Sequence, residues 1–179
     1  MLRSFRNGAF QLVYWVTSIF FGLTAAPLLL LPSRKPLMLW IQTYTRMMCH
    51  WLHLIAGIKV IVRGKEKLPT APCIIASKHQ SWGDGIVMFS QLRDLAFVTG
   101  DHLEKFPLLG EILKNMGAIV VYNCGGAYSR ARLLDKDLFK AKADNRRILI
   151  YPEGHLSPVG QQYRYKKGVY HIYSAYDCP

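Results

Sequence analysis

The chain has 179 residues, enough for one domain with a substantial core, and 51% of them are hydrophobic, a share high for a purely soluble protein. Lysine and arginine outnumber aspartate and glutamate by 23 to 11, and the resulting net charge of +12 favours an anionic partner: a lipid surface, a phosphorylated substrate or nucleic acid. The four cysteines, Cys49, Cys73, Cys124 and Cys178, show neither CxxC pairing nor regular spacing, which argues against a disulfide framework or a zinc site and favours a reducing compartment.

Residues 7–33 form a run of 27 without a formal charge, bracketed by Arg3 and Arg6 before and by Arg34 and Lys35 after. At about 1.5 Å per residue a continuous helix of that length would reach roughly 40 Å, beyond the hydrocarbon thickness of about 30 Å. Pro27 is expected to interrupt it, and both a spanning helix and one lying in the interface stay open. The leading basic residues and Thr24-Ala25-Ala26 also suit a cleaved signal peptide, but the length of the run and its continuation through Leu28 to Leu31 argue against cleavage. A second segment, Leu37 to Ile58, interleaves Trp40, Tyr44, Met47, Met48, Trp51 and Leu54 with Arg46, His50 and His53, as in a helix that floats at the headgroup level. His50 and His53 are three apart, yet no carboxylate or further histidine lies nearby to complete a metal site. Residues 1–57 thus read as a membrane-associated helical segment.

After Gly57 short β-rich runs alternate with helical stretches. The expected strands are Lys59–Val62, Cys73–Ala76, Leu95–Val98, Ala118–Val121 and Arg147–Tyr151. Helices are expected over Asp84–Gln91, His102–Met116, Tyr128–Ala143 and Val169–Ala175. This alternation predicts an α/β domain over residues 58–179, a mixed sheet flanked by helices. The third helix carries Arg130, Arg132, Lys136, Lys140 and Lys142, a face that suits lipid headgroups or simply solvent. The preceding Gly125-Gly126 pair lacks Walker or dinucleotide spacing. No basic patch with interleaved aromatics at a recognised spacing supports nucleic-acid binding.

Two turns carry the chemistry. In Lys78-His79-Gln80-Ser81-Trp82-Gly83-Asp84-Gly85, between a strand and a helix, a histidine precedes an aspartate by five positions. An aspartate on imidazole Nδ1 fixes the tautomer and leaves Nε2 to take a proton from an alcohol, work suited to a histidine with an ordinary pKa of about 6.5. Positions five apart on a regular helix point roughly 140° away from each other, so convergence demands an irregular turn, which Gly83 and Gly85 are expected to permit. The alternative makes Asp84 only a helix cap and His79 a hydrogen-bonded loop residue. The second turn, Tyr151-Pro152-Glu153-Gly154-His155, ends the last strand. Ligands of open α/β sheets collect beyond the carboxyl ends of strands, so the two turns are expected to face one cleft. Arg164, Lys166 and Lys167 then precede a helix N-terminus, where a phosphate would meet free N–H groups, although a plain basic loop explains them as well.

With both turns in hand, the chain resembles the 1-acyl-glycerol-3-phosphate acyltransferase family of bacterial type. Lys78 to Asp84 match its histidine, four residues, aspartate block, and Tyr151 to Gly154 match the start of its Pro-Glu-Gly-Thr-Arg block. Phe97-Val98, Phe106 to Gly110, Gly117 to Val121 and Arg164 to Val169 follow in the right order. The resemblance implies a glycerolipid acyltransferase fold and transfer of an acyl group from acyl-CoA or acyl carrier protein to the sn-2 hydroxyl of lysophosphatidic acid. No cofactor beyond that co-substrate and no metal is implied. His79 would be the base and Asp84 its orienter, with Ser81, Glu153, Gly154, His155, Arg164 and Lys167 lining the substrate. Anionic membrane lipids and the lysophospholipid acceptor would be the partners, at the cytoplasmic face of a bacterial inner membrane.

The chain departs from that pattern where the family often carries cations. Gly100, Asn123 and Leu156 stand in those places, and His155 replaces the threonine. Arg130, Arg164, Lys166, Lys167, His102 or His155 would have to compensate. Otherwise the acceptor is another lysolipid, such as a lyso-ornithine lipid, or the chain is a silent lipid-binding homologue. The sequence stops at Cys178-Pro179, where the family's fourth block would begin, and a C-terminal truncation is expected.

Overall fold

The structure is a computed structural model describing residues 2–70, 72–122 and 127–178. Two compact units are present, one of residues up to 68 with 85–93 and the other of 69–84 with 94 onward.

In the first unit, α1 (Leu2–Ala25) passes into a 3-10 turn over Ala26–Leu30. Pro27 sits at the start of that turn and ends the α-helix as expected, because its ring removes an amide donor. Helix α2 (Lys35–Leu54) follows, with Pro36 in its first turn, where the missing N–H has no intrahelical partner to lose. The two helices pack through aromatic side chains: Phe21 lies 4.6 Å from Trp40 and 5.4 Å from Tyr44 between ring centroids. Trp40 Nε1 donates to the Phe21 carbonyl at 3.2 Å, and Arg6 Nε donates to the Ile55 carbonyl at 2.7 Å. On α1, Leu12, Trp15, Val16, Ile19, Phe20 and Leu23 are each more than half exposed. The stretch Arg3–Leu30 is long and apolar enough to cross a membrane.

In the second unit, strands β1 (Ile74–Ala76), β2 (Leu95–Gly100), β3 (Ile119–Val121) and β4 (Arg147–Ile150) form one sheet in the order β1-β4-β2-β3. The helices are α3 (Asp84–Gln91), whose first residue alone belongs to this unit, α4 (Pro107–Met116), α5 (Ala127–Ala143) and α6 (Lys167–Tyr176). The α/β sheet flanked by helices is therefore present, and all three described pairings are parallel, so no mixture of directions occurs among the described residues. Strands buried on a parallel sheet run apolar instead of alternating, as Leu95-Ala96 and Ile148-Leu149-Ile150 do. Leu138 and Ala141 of α5 and Ile172 and Tyr176 of α6 close the core over Ala96, Ile119 and Ile148. Each fully buried Leu or Ile contributes roughly 1.5–3 kcal/mol. Arg146, buried, donates to the carbonyls of Asp94, Leu95 and Gly117 and so ties together the leading ends of three strands.

Two expected elements differ. Lys59–Val62 is not a strand: Ile61 is 64% exposed, and the segment pairs with no described strand. The β preference of Val and Ile is a preference for a half-buried pleated surface, which this segment lacks. The helix expected over His102–Met116 is split, with a 3-10 turn at Asp101–Lys105 and α4 starting only at Pro107. Proline cannot occupy a helix interior and pushes the preceding residue out of the α region; Phe106 accordingly has φ −84° and ψ 114°. Gly110 lets the two pieces touch, since a Cβ there would lie 2.6 Å from the Glu104 carbonyl oxygen. Asn123 and the Gly125-Gly126 pair lie outside the described residues.

Candidate active site

Strands β1 and β4 pair in parallel with Ala76 opposite Ile150, so the turns that follow them leave the same sheet edge side by side. Ser77 N–H donates to the Ile150 carbonyl at 3.0 Å and carries the pairing one residue further. The chain then folds back, and Asp84, the first residue of α3, turns its carboxylate onto the loop it came from. Its Oδ2 accepts from Gln80 N–H at 2.6 Å and Ser81 N–H at 2.8 Å, and lies 3.1 Å from His79 Nδ1. The Asp84 amide returns a bond to the Ser81 carbonyl at 3.1 Å, and Ser81 Oγ accepts from Gly83 N–H at 3.1 Å. Gly83 and Gly85 are both outside the left-handed region, contrary to the expectation that glycine freedom shapes this turn. Three donors converging on one carboxylate oxygen close it instead.

One oxygen of Asp84 thus holds the loop amides ahead of α3 and pairs with His79. With a carboxylate at Nδ1, the imidazole carries its proton there and presents Nε2 as the acceptor; Nε2 has no hydrogen-bond partner among the described residues. The two side chains are 24% and 25% exposed, accessible yet partly withdrawn from water.

The second turn is held by a buried carboxylate. Glu153 is 1% exposed; Ser157 Oγ donates to its Oε2, and Lys78 Nζ stands 3.3 Å from Oε1 while donating to the Gln161 carbonyl at 2.6 Å. The Ser157 bond holds the Glu153 carboxyl below its ordinary range against the opposing effect of burial, and Lys78 adds to the lowering. Ser157 N–H also donates to the His79 carbonyl at 2.6 Å, and Lys166 N–H to the Pro152 carbonyl at 2.9 Å. Gly154 has φ +71°, and a Cβ there would lie 3.1 Å from Lys166 Cγ, so this position does call for glycine.

The residues singled out in the sequence fall into two groups. His79, Asp84 and Ser81 share the first turn; Glu153 and Gly154 form the second and are bonded to the first through Lys78 and Ser157. His155 is exposed, donating from Nδ1 to the Glu153 carbonyl at 2.8 Å and meeting Tyr163 edge to face at 4.7 Å. Arg164 and Lys166 are exposed ahead of α6 and Lys167 is exposed as its first residue, and among the described residues no hydrogen bond ties Arg164 or Lys167 to the dyad. At Gly100 a Cβ would meet His102 Nδ1 at 2.7 Å, so the imidazole occupies the space a side chain at position 100 would take. Sequence reasoning assigned no role to Ser157, whose signal was only its place four residues after Glu153, or to Tyr151, whose ring stacks on His79 at 4.3 Å.

Residues 59–179 match the family model described as Acyltransferase. A 1-acyl-sn-glycerol-3-phosphate acyltransferase of Pseudomonas aeruginosa is 31% identical over 158 residues, covering 86% of this chain and 58% of the relative. The crystal structure of the 1-acyl-sn-glycerophosphate (LPA) acyltransferase PlsC from Thermotoga maritima matches with a TM-score of 0.72 at 20% identity, over 97% of this chain and 71% of that one. At that identity the likeness speaks for the fold, and the chain spans somewhat over half the length of its curated Pseudomonas relative.

Proposed function

The chain belongs to the acyltransferase family, and from that premise we propose that it transfers a fatty acyl group from acyl-CoA or acyl carrier protein to the sn-2 hydroxyl of lysophosphatidic acid, giving phosphatidic acid. The observation that carries this reading is the 3.1 Å contact between His79 Nδ1 and Asp84 Oδ2, which leaves Nε2 to act as a base. His79 Nε2 takes the hydroxyl proton as the acceptor oxygen attacks the thioester carbonyl carbon. The tetrahedral intermediate then collapses, the carbon–sulfur bond breaks, and the proton held on Nε2 passes to the departing thiolate. The products are the new ester and a free thiol, and His79 returns to its starting state. Proton transfer of this kind is worth about 10²–10⁴-fold, and alignment of hydroxyl and thioester supplies much of the remainder.

The exposed apolar side chains of α1 support membrane association, and the excess of cations supports an anionic lipid surface. We place the site at the cytoplasmic face of a bacterial inner membrane, where CoA and carrier-protein thioesters are available. Membranes carrying the full chain should convert lysophosphatidic acid and acyl-CoA to phosphatidic acid, and equal turnover by His79→Ala would sink the mechanism. A second acceptor class, another lysolipid such as a lyso-ornithine lipid, is favoured by the absence of cationic side chains at Gly100 and Leu156. A panel of lysolipid acceptors separates the two, and a chain inactive on every acceptor would be the silent homologue.

A further inference from the structure

We propose that Tyr151 is a positioning residue for His79: its ring forms a floor that sets the plane of the imidazole and faces the positive charge acquired when His79 takes the acceptor's proton. This rests on the reading of His79 as the base.

The geometry is that of a stack. The ring centroids lie 4.3 Å apart with 17° between planes. Asp84 holds His79 by one atom, Nδ1, and a single hydrogen bond leaves the ring free to swing about that contact. A flat surface against its face removes that freedom. Tyr151 is itself held, because Phe97 meets it edge-on at 6.0 Å and 74°. Backbone pairing fixes the approach of the two segments, since Ser77 N–H bonds to the Ile150 carbonyl just ahead of both residues. The stack is therefore a product of the parallel β1–β4 pairing.

The ring, not the hydroxyl, makes the contact. The Tyr151 hydroxyl is buried and has no hydrogen-bond partner among the described residues. Burial, with the nearby Asp84 charge, pushes the phenol well above its ordinary range, so it stays neutral. The face of a neutral aromatic ring attracts a cation, and this attraction grows as the imidazole becomes imidazolium. Such an interaction is stronger in the transition state than in the ground state, and it raises kcat without tightening substrate binding.

The test uses the full chain in lipid nanodiscs with isotope-labelled histidine. In the wild type and in Tyr151→Phe, the His79 ring protons should give one sharp set of signals displaced upfield by the facing ring. In Tyr151→Leu that displacement should vanish and the signals broaden. In acyl transfer, Tyr151→Leu should lose kcat by about tenfold with KM changed less than twofold, and Tyr151→Phe should restore it. If the leucine variant does not fold, Tyr151→Met repeats the comparison. Identical His79 signals in wild type and Tyr151→Leu would overturn the proposal, as would a phenylalanine variant as slow as the leucine one. If His79→Ala retained full turnover, the assignment of the base would fail, and the nuclear resonance result would still decide whether Tyr151 holds the imidazole.

Discussion

The two turns at the carboxyl edge of the sheet each contain one acid, and they use it in opposite ways. Asp84 is about one quarter exposed and joins a histidine whose far nitrogen is unengaged. Glu153 is buried; Ser157 bonds its Oε2 and the Lys78 ammonium pairs with its Oε1 at 3.3 Å. A carboxylate that orients a base must leave that base room for substrate, whereas a structural one can be enclosed by the protein. The turn proposed to react is joined to the Glu153 turn by Lys78 and by the Ser157 to His79 backbone bond.

Substitutions can break this contrast. The largest effect is expected for Asp84→Asn, which keeps a side-chain oxygen for the Gln80 and Ser81 amides but no longer enforces the His79 tautomer. Its kcat should fall by about 10²–10³-fold with little change in Tm, measured by initial rates and thermal melting of the full chain. Glu153→Gln should show the reverse balance, with Tm lowered by several degrees and kcat kept within about tenfold of wild type. A kcat loss equal to that of Asp84→Asn would put Glu153 in the chemistry and erase the contrast.

Acid sharpens the same point. Because the folded Glu153 carboxyl lies below its ordinary value of 4.5, its stabilising contribution is present above that value and is lost as pH falls through the lower folded one. Cleavage of residues 155–166 by pepsin should therefore rise as pH drops below 4.5 in the wild type, and this dependence should flatten in Glu153→Gln. The smallest effect is expected for Ser157→Ala, which removes the hydroxyl from Glu153 but keeps the backbone bond to His79. About 1 kcal/mol of stability should be lost in denaturant titration, with kcat nearly unchanged.

Much of this candidate site was legible because its histidine–aspartate pair is local. His79 and Asp84 lie within one turn, and their residue types announce a base and its orienter whatever the fold around them. The strands at 74–76, 95–100, 119–121 and 147–150 were legible from apolar runs. What escaped the sequence depends on which strands become neighbours. The stack of Tyr151 on His79, and the ion pair of Lys78 with Glu153, exist because β4 lies beside β1, an adjacency no local pattern encodes. The burial of Glu153 was hidden for the same reason. Lys59–Val62 misled because β-branched composition reports a preference for half-buried surface and not the presence of a partner strand. Pro107 did carry the break in the helix expected over 102–116, through its effect on Phe106.

The most direct test of the dyad is a double-mutant cycle on acyl-transfer rates, with His79→Ala, Asp84→Asn and the pair combined in the full chain. If Asp84 acts through His79, the double variant should be no slower than His79→Ala alone, because residues that act as a unit lose their effect together. Losses that multiply in the double variant would show two independent contributions and contradict the pairing read from the 3.1 Å contact.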